Sequence, residues 1–255
     1  MHRQLHLIIL TVLMAALLAG CGGNKQDDNE DLPEARPLLE EGASYLQDAQ
    51  SFELEMDVSG YPVNIKTDKL EPSDDEPLLF KYARGVFQAP DRIDANIEFG
   101  VGEFSTTAQL VALDREHYFR GQLLGNRWIR GELIEGFSPA SLIAQPGGIP
   151  YALLSISNLT MQGRTDLDGL PVFHLSGTIQ ANNVHSLTFG LIRTQQGTIN
   201  IEVYIQVKDR RVVQIRLIDP PPVQAEDEEP TSWQITFAGY NRDVTITPPP
   251  LQEEN

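Results

Sequence analysis

The single cysteine of the 255-residue chain, Cys21, is the residue whose chemistry follows most directly from its neighbours. It follows Leu18-Ala19-Gly20 at the end of an apolar run that begins at Leu5, and small residues directly before a cysteine are typical of a lipoprotein signal peptidase site. The short start with Arg3 and the apolar run have the form of a secretory signal. The sequence therefore predicts cleavage before Cys21 and its acylation as a diacylglyceryl cysteine, with chains such as palmitate.

Two other interpretations of this stretch are a transmembrane anchor and an ordinary signal peptide followed by a chance cysteine. The run from Leu5 to Gly20 is 16 residues long, shorter than the roughly 20 needed to span a bilayer. An ordinary signal would leave a lone free thiol on an exported protein, which is unusual. Because each buried acyl methylene contributes about 0.8 kcal/mol, a two-chain anchor holds firmly. We expect an exported protein, lipid-anchored to the cell membrane and facing outside the cytoplasm.

The composition describes a globular, turn-rich and acidic chain. Apolar residues make up 41%, there are 20 glycines and 17 prolines, and the formal net charge is −17. Such acidity argues against binding to nucleic acid or to anionic lipid surfaces, because both require a basic patch. Since the one cysteine is assigned to the anchor, no internal disulfide is expected and stability must come from the core.

The chain divides into four expected segments: a signal peptide over 1–20, a flexible acidic linker over 21–33, a single domain over 34–250 and a disordered tail over 251–255. Small, polar and acidic residues are typical of flexible linkers. Apolar residues then recur at near-helical spacing, which predicts a helix from about Pro33 to Ala49. These residues are Leu38, Leu39, Tyr45, Leu46 and Ala49.

Strand patterns dominate the rest of the domain. Strict apolar–polar alternation runs over Ser51–Gly60, Arg92–Phe99 and Ile199–Val207. Such alternation gives a sheet one apolar and one wet face, as in antiparallel sheets. Further strands are predicted at 63–68, 79–88, 103–112, 115–120, 158–166, 171–180, 211–218, 232–240 and 243–246. Two acidic, proline-containing stretches, 68–77 and 219–232, are predicted to be exposed loops.

The middle of the chain has a helical character. Ser138-Pro139 places a capping residue before a proline, which favours a helix start, and short apolar segments follow at 140–144 and 151–156. The stretch 184–193 is compatible with a helix or with irregular structure. Strands, short helices and strands again predict an α+β domain in which helices pack on one side of a curved antiparallel sheet.

No catalytic or metal-binding constellation is found. The chain has no G-x-S-x-G elbow, H-E-x-x-H motif or Walker loop. His117, His174 and His185 lie in different elements, and His174 has the polar parity of its strand, which predicts a surface position. The stretch 166–169 is similar to the start of a calcium loop, but Gly177 stands where the bidentate Glu is needed. A hairpin turn is expected there, with no catalytic residue, metal or cofactor.

In the order and spacing of these features, the chain resembles the LppX/LprAFG family of exported lipoproteins, whose fold is related to the LolA/LolB lipoprotein carriers. The resemblance covers about 37–250. It is carried by the stretches 18–21, 49–54, 85–91, 118–128, 138–143, 168–177, 233–240 and 246–249. It implies a half-barrel antiparallel sheet with helices packed on the concave side around a hydrophobic cavity. Only the acylated cysteine carries over residue by residue, onto Cys21, and the acidic loop at 219–232 departs from the pattern.

The family's implied role is the binding and carrying of acylated lipids or glycolipids in the cell envelope, without catalysis. An alternative is a sensor or interaction module on the same scaffold, which would bind another envelope protein through a groove or a sheet edge. A hydrolase would need a nucleophile–base pair, and none can be named. The expected partners are a lipid or glycolipid, the membrane through the anchor, and an envelope transport partner, but no nucleic acid.

The candidate lining of the cavity is the apolar parity of the strands, together with a lid. The strand candidates are Leu54, Met56, Val58, Ile93, Ile97, Phe99, Ile201, Val203 and Ile205, and the lid candidates are Leu142, Ile143, Leu153 and Leu154. Burial of an acyl chain against them would stabilise a complex by roughly 25 cal/mol per Å². The sequence leaves open which of these residues line a void and which fill a core.

Overall fold

A computed structural model describes residues 32–65, 78–102, 104–122, 125–131, 137–189, 191 and 197–251. Cys21, the predicted signal peptide, nearly all of the predicted linker, the acidic stretch 68–77 and the tail after Leu251 lie outside the described residues. Predictions made for them stay predictions. Within the described ranges, no helix is both long and apolar enough to cross a membrane.

Twelve strands and two α-helices make up the described domain. The helices are α1 (Ala35–Gln47) and α2 (Ile149–Leu154). The strands are β1 (Ser51–Ser59), β2 (Val63–Ile65), β3 (Leu78–Gln88), β4 (Arg92–Val101), β5 (Phe104–Leu113), β6 (Glu116–Gly121), β7 (Ile129–Arg130), β8 (Ser157–Leu167), β9 (Leu170–Gln180), β10 (Thr198–Gln206), β11 (Val212–Asp219) and β12 (Thr231–Ala238). Short 3₁₀ turns span Pro139–Leu142, Ala181–Asn183, His185–Leu187 and Val223–Ala225.

All twelve strands belong to one sheet, in which every pairing is antiparallel. The order across the sheet is β7-β6-β5-β4-β3-β1-β12-β11-β10-β9-β8, and β2 pairs with β3 off this path. The path ends at two different strands, so the sheet is open rather than closed. The predicted α+β class with a large open antiparallel sheet is confirmed.

The helices cover one face of the sheet, the face on which the apolar residues of the period-two strands lie. Leu38, Leu39 and Leu46 of α1 are buried, as expected for an amphipathic helix on a sheet. Gly42 allows a close approach, because a Cβ there would lie 3.0 Å from Val212 Cγ2 and 3.3 Å from Ile205 Cδ1. Helix α1 therefore lies directly over β10 and β11. We call the helix-covered face the inner face and the opposite one the outer face.

The two ends of the strands differ in their connections. At one end, here the turn end, tight turns join β3 to β4, β5 to β6 and β8 to β9, at 89–91, 114–115 and 168–169. At the other, the loop end, longer connections join β9 to β10 and β11 to β12, the latter over 220–230, and a short connection at 102–103 joins β4 to β5. Of the acidic excursion predicted at 219–232, residues 220–230 form a largely exposed loop, whereas Asp219 ends β11 and Thr231 and Ser232 begin β12.

The prediction of a strand at 243–246 is wrong. The segment after β12 pairs with none of the described strands and lies against the outer face. There Ile246 is buried in a small cluster with Val111 of β5 and Tyr118 of β6. Its backbone is bound by side chains instead of by a neighbouring strand. The N–H of Ile246 donates to Gln88 Oε1 at 2.8 Å, and its carbonyl accepts from Arg92 Nη1 at 2.8 Å.

Candidate lipid-binding cup

The structure places the predicted strand candidates on the inner face of one continuous sheet. Leu54, Met56, Ile93, Phe99, Ile201, Val203 and Ile205 are buried, whereas Val58 and Ile97 are half-buried. Of the lid candidates, Leu142 and Leu153 are buried and Ile143 is half-buried. Leu154 is 42% exposed, so its side chain faces largely solvent. Whether these residues contact a ligand stays a prediction.

Strand register explains how residues distant in sequence form one apolar surface. Leu54 of β1 lies opposite Phe237 of β12 on one side and Gly85 of β3 on the other. On β10, Val203 lies opposite Leu175 of β9 and Ile215 of β11. Because side chains alternate between faces along each strand, these partners share the inner face. The inner face is therefore apolar from β4 to β9.

Strands β9 to β12, the packed half, carry large side chains that are almost fully buried. They include Trp233, which is 0% exposed, and Phe173, Leu175, Ile199, Ile201, Ile205, Ile215, Leu217, Ile235 and Phe237. Helix α1 packs on this half, where Gly42 lies close to Ile205 and Val212, and its Leu38, Leu39 and Leu46 are buried. This half has the filled interior of an ordinary protein core.

Strands β3 to β6, the thin half, carry small residues at several inner positions. Ala83 of β3, Ile97 of β4 and Ala108 of β5 lie in register, and Ala108 lies opposite Gly121 of β6. Ala83, Ile97 and Ala108 are only half-buried. Gly85, also half-buried, lies opposite Ala95 of β4. Here the chain's own side chains leave the inner face incompletely covered.

At the loop end, Val58 lines an open cleft of about 590 Å³. The cleft lies beside β3, which pairs first with β1 and then with β2. Five residues, 58–62, separate the pair Asp57–Tyr82 from the pair Val63–Phe80. Its lining mixes apolar groups such as Phe80 with polar ones such as Tyr61, Lys81 and Glu98. The volume lies within the usual range for small-ligand sites, about 300–1,000 Å³.

A lid segment, residues 137–156, crosses the inner face antiparallel to α1. Near the turn end, Gln47 Nε2 of α1 donates to the Ile143 carbonyl at 2.7 Å. Near the loop end, Arg36 donates to the carbonyls of Leu154 and Ile156, at 3.2 and 2.5 Å. His117 Nε2 lies 2.9 Å from the Phe137 carbonyl. The lid is therefore joined by side-chain hydrogen bonds both to α1 and to the sheet.

The outer face of the packed half carries a polar cluster. His174, predicted to be at the surface, is half-buried and stacks on Tyr204 with ring centroids 4.6 Å apart. The Tyr204 hydroxyl donates to Glu202 at 3.0 Å, and Arg216 lies 3.8 Å from the same carboxylate. Burial, followed by the hydrogen bond to Glu202, raises the pKa of Tyr204 to about 12. The arrangement ties three strands together and contains no activated nucleophile.

No metal-binding group of three or more His, Cys, Asp or Glu side chains occurs within the ranges that the structure describes. The inner face is also poor in polar groups: His117, one of its few, binds the lid backbone. The site can therefore bury apolar surface, but it offers little directional recognition.

Sequence reasoning missed the larger part of the inner face. It named no inner residue on β3, β5, β6, β9, β11 or β12, although Phe87, Leu110, Phe119, Leu175, Leu217 and Ile235 are all buried there. Each of these strands shows the period-two pattern in its sequence. The pairing register that brings the strands together cannot be read from that pattern.

The sequence model of the LppX_LprAFG lipoprotein family matches residues 34–246. The chain belongs to this family. A relative named lipoarabinomannan carrier protein LprG, from Mycobacterium tuberculosis (strain ATCC 25618 / H37Rv), is 22% identical over 251 residues, which cover 98% of this chain and 96% of that protein. LprG of Mycolicibacterium smegmatis is 22% identical over 244 residues, covering 95% and 94%.

Two solved structures show the same fold. LprF from Mycobacterium bovis superposes with a TM-score of 0.63 at 18% identity, over 86% of this chain and 98% of that one. The lipoprotein LppX from Mycobacterium tuberculosis gives a TM-score of 0.54 at 18% identity, over 84% of this chain and all of the other. The predicted family and its open antiparallel fold are confirmed.

Proposed function

We propose that this family member binds acylated lipids or glycolipids in the cup between its inner face and its lid, and carries them in the cell envelope. The observation that carries the proposal is the row of half-buried inner residues Ala83, Ile97 and Ala108 in the thin half, two of which are alanines. Apolar surface left partly uncovered on an otherwise buried face is where a hydrocarbon chain would gain most. The named activity of the LprG relatives, as lipoarabinomannan carriers, supports the same ligand class.

Binding in such a cup would be driven by removal of apolar surface from water, at roughly 25 cal/mol per Å². This driving force has no preferred direction. The cup would therefore select the number and volume of acyl chains more than the chemistry of a head group. The lid, held by Arg36 and Gln47 of α1, would have to yield when a ligand enters or leaves.

The first experiment expresses the mature chain from residue 22, without the anchor, and identifies lipid in an organic extract by mass spectrometry. We expect copurified acyl lipid, and a thermal stabilisation by added phospholipid or glycolipid after delipidation. A double variant, Ala83→Leu with Ala108→Leu, fills the row and should lose most of the lipid. Thr107→Leu, one residue away on the exposed outer face, is the matched control and should retain it.

Protein that is lipid-free in every preparation, and that gains no stability from added lipid, would contradict the proposal. An interaction module on the same scaffold would then be favoured. Equal lipid content in the double variant and in Thr107→Leu would place the ligand elsewhere than over the thin half.

We also infer that the mature protein is exported and anchored through acylated Cys21. The support is the sequence of the stretch 18–21 and membership of a lipoprotein family. In cells that process lipoproteins, the N-terminal peptide of the mature protein should begin at Cys21 and carry the mass of the acyl groups, whereas the Cys21→Ser variant should show neither that mass nor cleavage before residue 21. A mature N-terminal peptide that contains Cys21 without acyl groups would contradict the anchor.

A further inference from the structure

Exposed apolar side chains are unevenly distributed between the two ends of the sheet. Phe104, which starts β5 at the loop end, is 79% exposed, and Val223, in the loop between β11 and β12, is 78% exposed. Leu154, three residues before Ser157, the first paired residue of β8, is 42% exposed. Tyr151, one helical turn earlier, is 38% exposed. Four of the six large exposed apolar side chains within the described ranges thus belong to this end or adjoin it.

The turn end has a different character. Its turns are made of charged residues, such as Asp114-Arg115 and the Lys208–Arg211 connection. No large apolar side chain in the described turns at 89–91, 114–115, 168–169 and 207–211 is exposed. An isolated exposed apolar residue needs no explanation, but a bias of this kind toward one end does.

The chain that precedes the domain also joins it at the loop end. Arg36, in the first turn of α1, donates to the carbonyls of Leu154 and Ile156, and Ile156 leads directly into the loop end of β8. The start of the domain and the exposed Leu154 are therefore neighbours. A membrane anchor at Cys21 would hold this end, not the turn end, toward the bilayer.

The length of the connecting chain supports the same orientation. Eleven residue steps separate Cys21 from Leu32, which limits the distance between them to at most about 40 Å. A tethered domain meets the bilayer at a high effective concentration. A few exposed apolar side chains are then enough to bias its orientation.

We propose that the loop end is a membrane-docking surface, in which Phe104, Val223 and Leu154 contact the outer region of the bilayer that holds the anchor. The inference rests on the predicted tether and not on lipid carriage. Glu226, Asp227, Glu228 and Glu229 lie exposed in the same loop as Val223. Their charges disfavour an anionic surface, so the docking partner is a zwitterionic bilayer.

The test measures which end of the tethered domain meets the lipid. Because Cys21 is the only cysteine, the chain from residue 21 can be coupled through it to a maleimide lipid in phosphatidylcholine vesicles. Trp128→Phe removes the half-buried tryptophan, and fully buried Trp233 remains as a common background. Reporter variants then carry Phe104→Trp or Val223→Trp at the loop end, or Arg115→Trp at the turn end as the control.

Brominated phosphatidylcholine should quench the loop-end reporters about twofold more than the turn-end reporter. Mixing anionic lipid into the vesicles should reduce that difference. Circular dichroism melting of each variant confirms that the fold is retained. Equal quenching of Arg115→Trp and Phe104→Trp would overturn the proposal, as would the absence of quenching in all three. Neither result bears on lipid carriage, which the extraction experiment decides independently.

Discussion

The packed half and the thin half of the sheet are built from the same strand pattern but have different interiors. In the packed half, Trp233, Ile215 and Val203 are almost completely buried. In the thin half, equivalent inner positions hold Ala83 and Ala108 and remain half-buried. We expect the packed half to supply most of the stability of the domain, and the thin half is where we propose that a ligand is buried. The first predictions test this division directly.

Trp233→Ala should give the largest loss of stability. Trp233 is fully buried and its ring stacks on Phe80 at 5.8 Å between centroids. Removing a large side chain from a filled core costs about 3–5 kcal/mol. Urea unfolding measures the change, with Val223→Ala as an exposed control that should stay within about 0.5 kcal/mol of the parent. A loss below about 1 kcal/mol would show that the packed half is not a rigid core.

Adding volume should affect the two halves differently. Val203→Leu inserts a methylene into the packed half and should lower the unfolding free energy by about 1–3 kcal/mol. Ala108→Val inserts two carbons into the thin half beside Gly121. It should change the unfolding free energy by less than about 0.5 kcal/mol, or raise it through β-propensity. An equal loss of unfolding free energy in both variants would contradict the difference in packing between the two halves.

Arg36→Ala should loosen the lid, which is hydrogen-bonded both to α1 and to His117 of β6. The variant loses two charge-assisted hydrogen bonds, to the carbonyls of Leu154 and Ile156, at a cost of about 1–2 kcal/mol. Hydrogen exchange should accelerate over residues 149–156 before other parts of the domain. Arg84→Ala, on the outer face near Glu53, is the control. If residues 149–156 exchanged as fast in Arg84→Ala as in Arg36→Ala, or faster, the result would argue against a clamped lid.

Tyr204→Phe should destabilise the domain less than Val203→Leu or Arg36→Ala, and it tests the polar cluster on the outer face. The unfolded tyrosine has an ordinary pKa near 10, and the pKa of Tyr204 is raised to about 12. The unfolded state therefore loses its proton first, so this contribution to stability is present below pH 10 and is lost between pH 10 and 12. The stability difference from Tyr204→Phe, about 0.5–1 kcal/mol, should shrink over that range in urea titrations.

Local pattern was enough to predict most elements of this fold. The stripe of Leu38, Leu39 and Leu46 predicted α1 to within two residues at each end, and alternation predicted β1, β4 and β10 closely. The segment at 243–246 failed because its apolar residues serve an outer cluster instead of a strand pair. Alternation reports that one side of a segment is apolar, and it does not report the identity of its partner.

The candidate site was predictable only in part, for the same physical reason. Parity identified Leu54 and Ile201 as inner residues, because parity is a property of one strand. The contrast between Val203 and Ala108 depends on which strands lie under α1, which is a property of long-range register. Leu154 has the apolar character of a lid residue, yet the helix turns it toward solvent.

The C-terminal segment has a mechanical consequence for the thin half. A sheet whose inner face is underfilled lacks the packing that would hold its curvature. Ile246 and Val244 lie across its back against Val111 and Tyr118, and Gln88 and Arg92 fasten the backbone of Ile246. These contacts support the outer face of the half whose inner face is less completely covered. Strands β3 to β6 therefore combine half-buried inner positions with a buttressed outer face.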